Sequence, residues 1–540
     1  MTPLTESHVR PDGDGPALLE DMTIGDLLRE VAAEHPDREA LVEGIAESPT
    51  RRRWSYAQLL GDAEAVARLL LDHFEPGERL AVWAHNLPEW VVLEYGAALA
   101  GVTIVTVNPS FQPAEAAYVL GQSRSAGLIL VPEVRGNPLA AHIEAIRAEL
   151  PDLRTVLRLD RLLDDAAAHR VGELPAVAAE ALAQIQFTSG TTGFPKGASL
   201  THGSVVNNAR MWADWVEIPE GARWLSPMPL FHTGGCVMGV LGALNRRATL
   251  ILMPAFEPGL FLQLIEEERA VFAAGVPTML IAAMDHPGAA TRDLSTWEST
   301  VSGGAQVPET LVRRIEDTLG IDFTIVYGQT ECSPVITNTR RADSPADKGS
   351  TVGQPLPHTE VRIVDPLTGE TTPLGTPGEL WARGYLTMVG YFDKPTETAE
   401  TLTEDGWVRT GDLATMDERG YCRIVGRLKD MIIRGGENLF PAEIEEVLFR
   451  HPGVAEAAVV GLPDERFGEI VAAFIRPADP MNPPSVAELR AFSRQHLSPQ
   501  KTPSSWFGVT EYPLTGSGKI QKFALREFWE SGSYDDATLA

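Results

Sequence analysis

Residues 187–202 read FTSGTTGFPKGASLTH. Three glycines and one lysine fall among threonines and serines, directly after the apolar Ile185 and Phe187. Glycine admits positive φ and lets a backbone approach a ligand closely. Successive backbone N–H groups in such a turn form a concave nest for phosphate. Thr188, Ser189, Thr191 and Thr192 add hydroxyl donors around Gly190 and Gly193, and Lys196 adds a point charge. The spacing is not that of a Walker loop, G-x-x-x-x-G-K-[ST]. Here Gly190, Gly193 and Lys196 follow a three-residue step. Such a loop predicts a bound anion and leaves the nucleotide and the chemistry open.

Other polar clusters lie far away in sequence. YGQTE (327–331) ends in Glu331. A carboxylate beside a threonine hydroxyl suits magnesium, which keeps several waters and the substrate phosphates. TGD (410–412) offers Asp412 to the paired hydroxyls of a ribose. GRLKDMIIRGGENLFPAEIE (426–445) places Arg427 and Lys429 at a junction, and PLTGSGKIQK (513–522) places Lys519 on a glycine-bearing loop. Taken singly, Glu331, Asp412 and Lys519 also suit solvated surface or turn positions.

The elements that must carry these clusters follow from periodicity. Residues 23–33 predict a helix capped by Thr23, with Asp26 in its first turn. Strands are predicted at 79–84, 103–108, 127–131, 248–253, 270–276, 299–304 and 323–328, with helices at 87–99, near 258–268, from Pro277, and over 308–319. Short apolar runs alternating with helical periodicity argue for βαβ units and largely parallel sheets. Ligands in such sheets sit beyond the carboxyl ends of strands, where VSGGAQ and IVYGQTE both fall. After Asp365 recurring turns suggest short antiparallel strands, and after Lys429 a small α+β unit follows. Its helix PAEIEEVLFRHPG opens on Pro441 and stops at Pro452-Gly453.

The chain has 540 residues, enough for several compact units. Its net charge of −29 argues against a nucleic-acid partner, which needs a basic face. An anionic ligand must then be held by local features against the global field. Cys236, Cys332 and Cys422 form no CxxC pair, so neither a zinc knuckle nor a disulfide framework is suggested, and a reducing cytoplasm fits. The N-terminal stretch lacks the features of a signal peptide and reads as a disordered tail. The longest apolar run, 234–244, is too short to span a bilayer, so no transmembrane segment is expected.

Seven stretches, in order, resemble the adenylate-forming superfamily of acyl-CoA synthetases, nonribosomal adenylation domains and luciferases. They are FTSGTTGFPKG, FHTGG (231–235), SGGAQ (302–306), YGQTE, RTGD (409–412), GRLKDMIIRGGENLFPAEIE and PLTGSGKIQK. YGQTECSPV, GRLKDMIIRGGENLFPAEIEE and YPLTGSGKIQKFALRE most resemble medium-chain acyl-CoA synthetases. The implied fold is α/β. A large N-terminal domain of βαβ-type sheets with a small barrel-like β part (21–428) follows the tail (1–20) and precedes a small mobile α+β domain (429–540).

The resemblance also implies a reaction and its residues. A carboxylate attacks the α-phosphate of ATP, giving acyl-AMP and pyrophosphate, and a thiol, usually coenzyme A, then displaces AMP. Thr188, Ser189, Gly190, Thr191, Thr192, Gly193 and Lys196 would cradle the triphosphate, and Thr188 with Glu331 would hold magnesium. Gly304, Ala305, Gln306, Tyr327, Gly328, Gln329 and Thr330 would surround the adenine and α-phosphate, and Asp412 and Arg427 the ribose. Lys519 would bridge the carboxylate and the α-phosphate. Lys429 matches the hinge about which the small domain turns, presenting Gly435 and Gly436 to the pantetheine arm. His232 matches a position near the carboxylate and the thiol path. The acyl pocket is expected around His232, Gly234, Gly235, Met238, Val276 and Val335. SPQKTPSSW (498–506) departs from the family by placing Ser-Ser-Trp where hydrophobic strand residues are common. No insertion of the kind that marks ligases serving carrier proteins is seen, which favours coenzyme A. A carrier protein as acceptor, another oxyanion as substrate, a nucleotide-binding regulatory role and a homodimer stay open.

Overall fold

A computed structural model describes residues 3–11, 15–188, 195–304, 307, 309–435, 437–513, 520–534 and 539, apart from the side chain of Asn438. Among these residues the strands fall into four sheets. The first has the order Gly390–Tyr391, Lys196–Thr201, Leu182–Thr188, Thr103–Val107, Arg79–Trp83, Gly127–Leu130, Thr155–Arg158. Its pairings are parallel from Leu182–Thr188 to the far edge. They are antiparallel toward Gly390–Tyr391. Strands Leu182–Thr188 and Lys196–Thr201, which flank the glycine-rich stretch, thus form an antiparallel hairpin at the edge of the parallel part of the sheet.

The second sheet runs parallel from Glu39–Glu43 through Thr249–Leu252, Arg223–Ser226, Phe272–Ala274 and Ser299–Gly303 to Asp322–Gly328. Antiparallel strands extend both of its edges. Helix Pro88–Ala100 is buried along its whole length, which explains its apolar, weakly amphipathic sequence. One apolar cluster joins this helix to both sheets, with Val105 and Ile185 of the first and Trp224 and Phe272 of the second. Thr23 caps helix Ile24–Glu34 by accepting from the Asp26 N–H at 3.0 Å, as its sequence predicts.

A third sheet, antiparallel, takes the order His8–Val9, Thr359–Val364, Gly378–Gly384, Val408–Met416, Cys422–Arg427. The stretch 1–20, expected as a disordered tail, contributes the edge strand His8–Val9, while residues 1, 2 and 12–14 lie outside the described residues. His8 and Val9 pair with Arg362 and Val361, and Ser7 Oγ donates to the Pro373 carbonyl at 3.0 Å. Val9 joins the apolar cluster under this sheet, so burial and backbone pairing order the segment.

The fourth sheet gathers Glu437–Leu439, Ile432–Arg434, Gly468–Pro477 and Val454–Asp464, with Ser505–Gly508 added in parallel. Pro441–Phe449 and Val486–His496 pack on one apolar cluster of this unit, and Lys522–Glu530 on another. Trp506, where the sequence departs from the pattern it resembles, is buried in the first of these clusters, and Phe507 in the second. Among the described residues no helix is long and apolar enough to cross a membrane.

Candidate active site

Thr188 and Lys196 face each other as the last ladder pair of the hairpin, and Thr188 Oγ1 donates to the Lys196 carbonyl at 3.4 Å. Ser189, Gly190, Thr191, Thr192 and Gly193 lie outside the described residues. The ammonium of Lys196 sits 5.2 Å from the centroid of the Tyr391 ring. The Tyr391 hydroxyl in turn donates to Glu331 Oε1 at 2.6 Å. Burial, and then the charge of Glu331, push the tyrosine pKa far up, so its proton stays on the phenol. Thr188, Lys196, Tyr391 and Glu331 thus belong to one neighbourhood, although they come from three segments of chain. A carboxylate and a hydroxyl are hard oxygen donors, the kind magnesium accepts.

Glu331 lies in the turn Thr330–Cys332 just after strand Asp322–Gly328. That strand ends on glycine for a steric reason: a Cβ on Gly328 would stand 1.9 Å from the Pro334 carbonyl oxygen. The Gln329 N–H donates to that same oxygen at 2.9 Å. Gly304, at the end of the neighbouring strand, takes φ +76° with open space around its α-carbon. Ala305 and Gln306 are outside the described residues.

Asp412 is buried, and both of its carboxylate oxygens are engaged. Tyr327 donates its hydroxyl to Oδ2 at 2.8 Å, and Arg427 Nε donates to Oδ1 at 2.9 Å. Asp412 and Arg427 are cross-strand partners, so the sheet register itself creates the pair. They line a cleft of about 170 Å³ with Asp430, Pro441 and Lys522, the last two from the terminal α+β unit. Lys429 occupies the single turn Leu428–Asp430 between the third and fourth sheets. Partial burial, and then the charges of Lys196 and Arg427, hold its ammonium below the usual lysine range, with Glu400 opposing. Gly435 is exposed, takes φ +60° and donates its N–H to the Phe467 carbonyl at 2.7 Å. Gly436 and Lys519 lie outside the described residues.

His232 is exposed at the start of the FHTGG segment, and its Nδ1 accepts from the Gly234 N–H at 3.1 Å. The neutral ring therefore carries its proton on Nε2. The apolar run that follows is a π-helix over Gly234–Leu241, a rare form that recurs at functional sites. Gly235 is required there, because a Cβ would meet the Pro229 carbonyl oxygen at 2.2 Å. Met238 and Val276 are half-buried; Val335 is buried, its N–H donates to Asn208 Oδ1, and its carbonyl accepts from Asn208 Nδ2.

Beneath the site runs a polar chain that the sequence did not announce. Gln184 Nε2 donates to Glu94 Oε1 at 2.7 Å, and Gln186 Nε2 donates to Gln184 Oε1 at 2.8 Å and to Cys236 Sγ at 3.1 Å. Burial pushes the Glu94 carboxyl well above the usual range, which favours its neutral form. This chain ties the strand leading into the glycine-rich hairpin to the π-helix that follows His232. Tyr391 was missed as well. Its only sequence signal is an aromatic residue after glycine in an unremarkable turn.

Thr188, Gly304 and Glu331 thus lie at or just after the carboxyl ends of parallel strands, and Asp412 and Arg427 line the cleft beside them. The chain matches the model of the AMP-binding enzyme family over residues 28–392 and that of the AMP-binding enzyme C-terminal domain over 443–519, and it belongs to this family. It is 39% identical to the bovine (Bos taurus) mitochondrial medium-chain acyl-CoA ligase ACSF2 over 550 residues, covering 95% of this chain and 88% of the relative. Among solved structures, the fatty acyl CoA synthetase of Mycobacterium tuberculosis superposes with a TM-score of 0.77 at 32% identity, covering 94% of this chain and 99% of that one. ATP-bound MatB from Rhodopseudomonas palustris superposes with a TM-score of 0.86 at 28% identity, again over 94% and 99% of the two chains.

Proposed function

We propose that this protein is an AMP-forming acid–thiol ligase that activates a medium-chain fatty acid, or a related carboxylic acid, with ATP and transfers it to coenzyme A. The similarity to a medium-chain acyl-CoA ligase along nearly the whole chain carries this reading. In the first half-reaction a carboxylate oxygen bonds to the α-phosphorus of ATP, and the bond from that phosphorus to the β-phosphate bridge breaks. Pyrophosphate leaves, and acyl-AMP stays. In the second, the sulfur of coenzyme A bonds to the acyl carbon, the acyl–oxygen bond breaks, and AMP leaves.

The roles of individual residues are part of the proposal. Residues 188–196 hold the triphosphate, with Lys196 as their cation. Asp412 accepts from the ribose hydroxyls and is oriented by Arg427. Glu331 and Thr188 would hold magnesium, which when bound would supply positive charge to the transferring phosphoryl group. Lys519 bridges the two oxyanions of the first step. His232, with a proton on its outer nitrogen, stands beside the carboxylate and the thiol path. The π-helix with its glycines leaves room for an extended acyl chain, with Met238, Val276 and Val335 on its walls. Residues 21–428 form the adenylation domain and 429–540 turn about Lys429 to bring Gly435-Gly436 to the pantetheine arm. The three cysteines are unpaired and buried, which suits a reducing compartment, and we place the enzyme in the cytoplasm.

Pyrophosphate release with a panel of acids, with and without coenzyme A, tests this function. Release with medium-chain acids, followed by thioester when coenzyme A is present, is the expected result. Pyrophosphate without thioester would move the acceptor to a carrier protein. Silence with every acid would leave a nucleotide-binding protein without ligase activity.

A further inference from the structure

We propose that Tyr391 is a positioning residue that holds the Glu331 carboxylate and the Lys196 ammonium at a fixed separation. The proposal rests on the reading of Glu331 as a magnesium ligand. The Tyr391 hydroxyl donates to Glu331 Oε1 at 2.6 Å, while its ring lies 5.2 Å below Lys196 Nζ. One side chain therefore touches both the phosphate lysine and the metal carboxylate.

The backbone around Tyr391 is pinned on every side. Tyr391 pairs with Ala198 and Gly390 with Ser199, on the strand that begins at Lys196. The Phe392 N–H donates to the Gly197 carbonyl at 2.8 Å, and the Val389 N–H to the Ser199 carbonyl at 2.9 Å. The same segment reaches the other partner, since the Met388 N–H donates to the Glu331 carbonyl at 2.9 Å. The Tyr391 N–H is taken by Thr398 Oγ1 at 2.9 Å, and the side chain is 8% exposed. A ring held this way cannot follow a wandering carboxylate; it fixes one.

The consequence is chemical. A carboxylate turns about its terminal bond, and a hydrogen bond to Oε1 sets that angle and directs Oε2 elsewhere. Magnesium demands near-octahedral geometry and gives up water reluctantly, so a preset oxygen counts. Partners that orient a metal ligand in this manner are worth about 10-fold to 100-fold in metal affinity. Lys196 gains a second constraint, because the ring face attracts its charge and keeps it near the hairpin.

The test uses the full chain and binding of α,β-methylene-ATP, read by calorimetry across a magnesium titration, with Tyr391→Phe, Tyr391→Leu and Glu331→Gln. Thermal melting checks that each variant is folded. Tyr391→Phe keeps the ring under Lys196 and loses only the hydroxyl. We expect unchanged metal-free analogue affinity and a magnesium half-saturation raised about 10-fold. Tyr391→Leu loses the ring as well and should weaken both. If Glu331→Gln raises the magnesium half-saturation and Tyr391→Phe titrates like wild type, the positioning role is overturned and the metal assignment stands. If Glu331→Gln itself titrates like wild type, the metal assignment falls and this proposal with it.

Discussion

At the scale of single residues, the proposed roles of two side chains can each be tested. Lys519 is assigned only to the first half-reaction, because its compact charge can bridge carboxylate and α-phosphate. Lys519→Ala should slow acid-dependent pyrophosphate release by at least about 100-fold, the scale of one lost oxyanion donor. Conversion of supplied acyl-AMP with coenzyme A should stay within about a factor of three, since it needs no such bridge. Glu331→Gln keeps the shape of the side chain and removes the charge that a hard cation requires. Adenylation should fall by orders of magnitude and recover only in part at high magnesium, as read from initial rates across a magnesium titration. Both assignments could be proposed from the sequence because each residue sits inside a short contiguous motif whose chemistry is local. Tyr391 and Glu94 were not legible. Tyr391 meets Glu331 across 60 residues, and Glu94 meets Gln184 across 90, and no spacing rule reaches that far.

At the scale of elements, the βαβ periodicity read correctly, because short buried strands and longer helical runs leave distinct patterns. Strand Arg79–Trp83, helix Pro88–Ala100 and strand Thr103–Val107 fall within a residue or so of where the pattern puts them. The π-helix did not read, since a run of glycines and apolar residues fits several backbones equally. Gly235 offers a test of that element. A methyl group there meets backbone at 2.2 Å, so Gly235→Ala should displace the turn that carries His232 and cost about 1–3 kcal/mol. A melting temperature equal to wild type would contradict the close packing. The helix that follows the glycine-rich hairpin offers a pH test. His202 is buried at its first position, and burial pushes its pKa down to about 4 from an ordinary 6.5. The native state therefore favours the neutral ring. That contribution is complete above pH 6.5 and is lost as pH falls toward 4, at up to about 1.4 kcal/mol per pH unit. His202→Gln cannot titrate. Its melting temperature should start below wild type at neutral pH, and the gap should close as pH falls through this window.

At the scale of the whole molecule, the account needs two arrangements of one chain. The sheet with Asp412 and Arg427 ends at the turn Leu428–Asp430, and the terminal sheet begins at Ile432–Arg434. Lys429→Pro restricts φ at that turn and biases the preceding residue toward extended backbone. One half-reaction should survive and the other fail when each is assayed alone; equal loss of both would indicate misfolding rather than a blocked hinge. The central claim is that a single chain makes acyl-AMP and then spends it on coenzyme A. A single-turnover experiment addresses it most directly. Enzyme in excess is mixed with magnesium, ATP and octanoate in the absence of coenzyme A, quenched, and examined by mass spectrometry for octanoyl-AMP. Coenzyme A is then added to an unquenched portion. The account predicts octanoyl-AMP in step with pyrophosphate, followed by its disappearance as octanoyl-CoA and AMP appear. Octanoyl-CoA formed with ADP and phosphate, or octanoyl-AMP that coenzyme A never consumes, would contradict it.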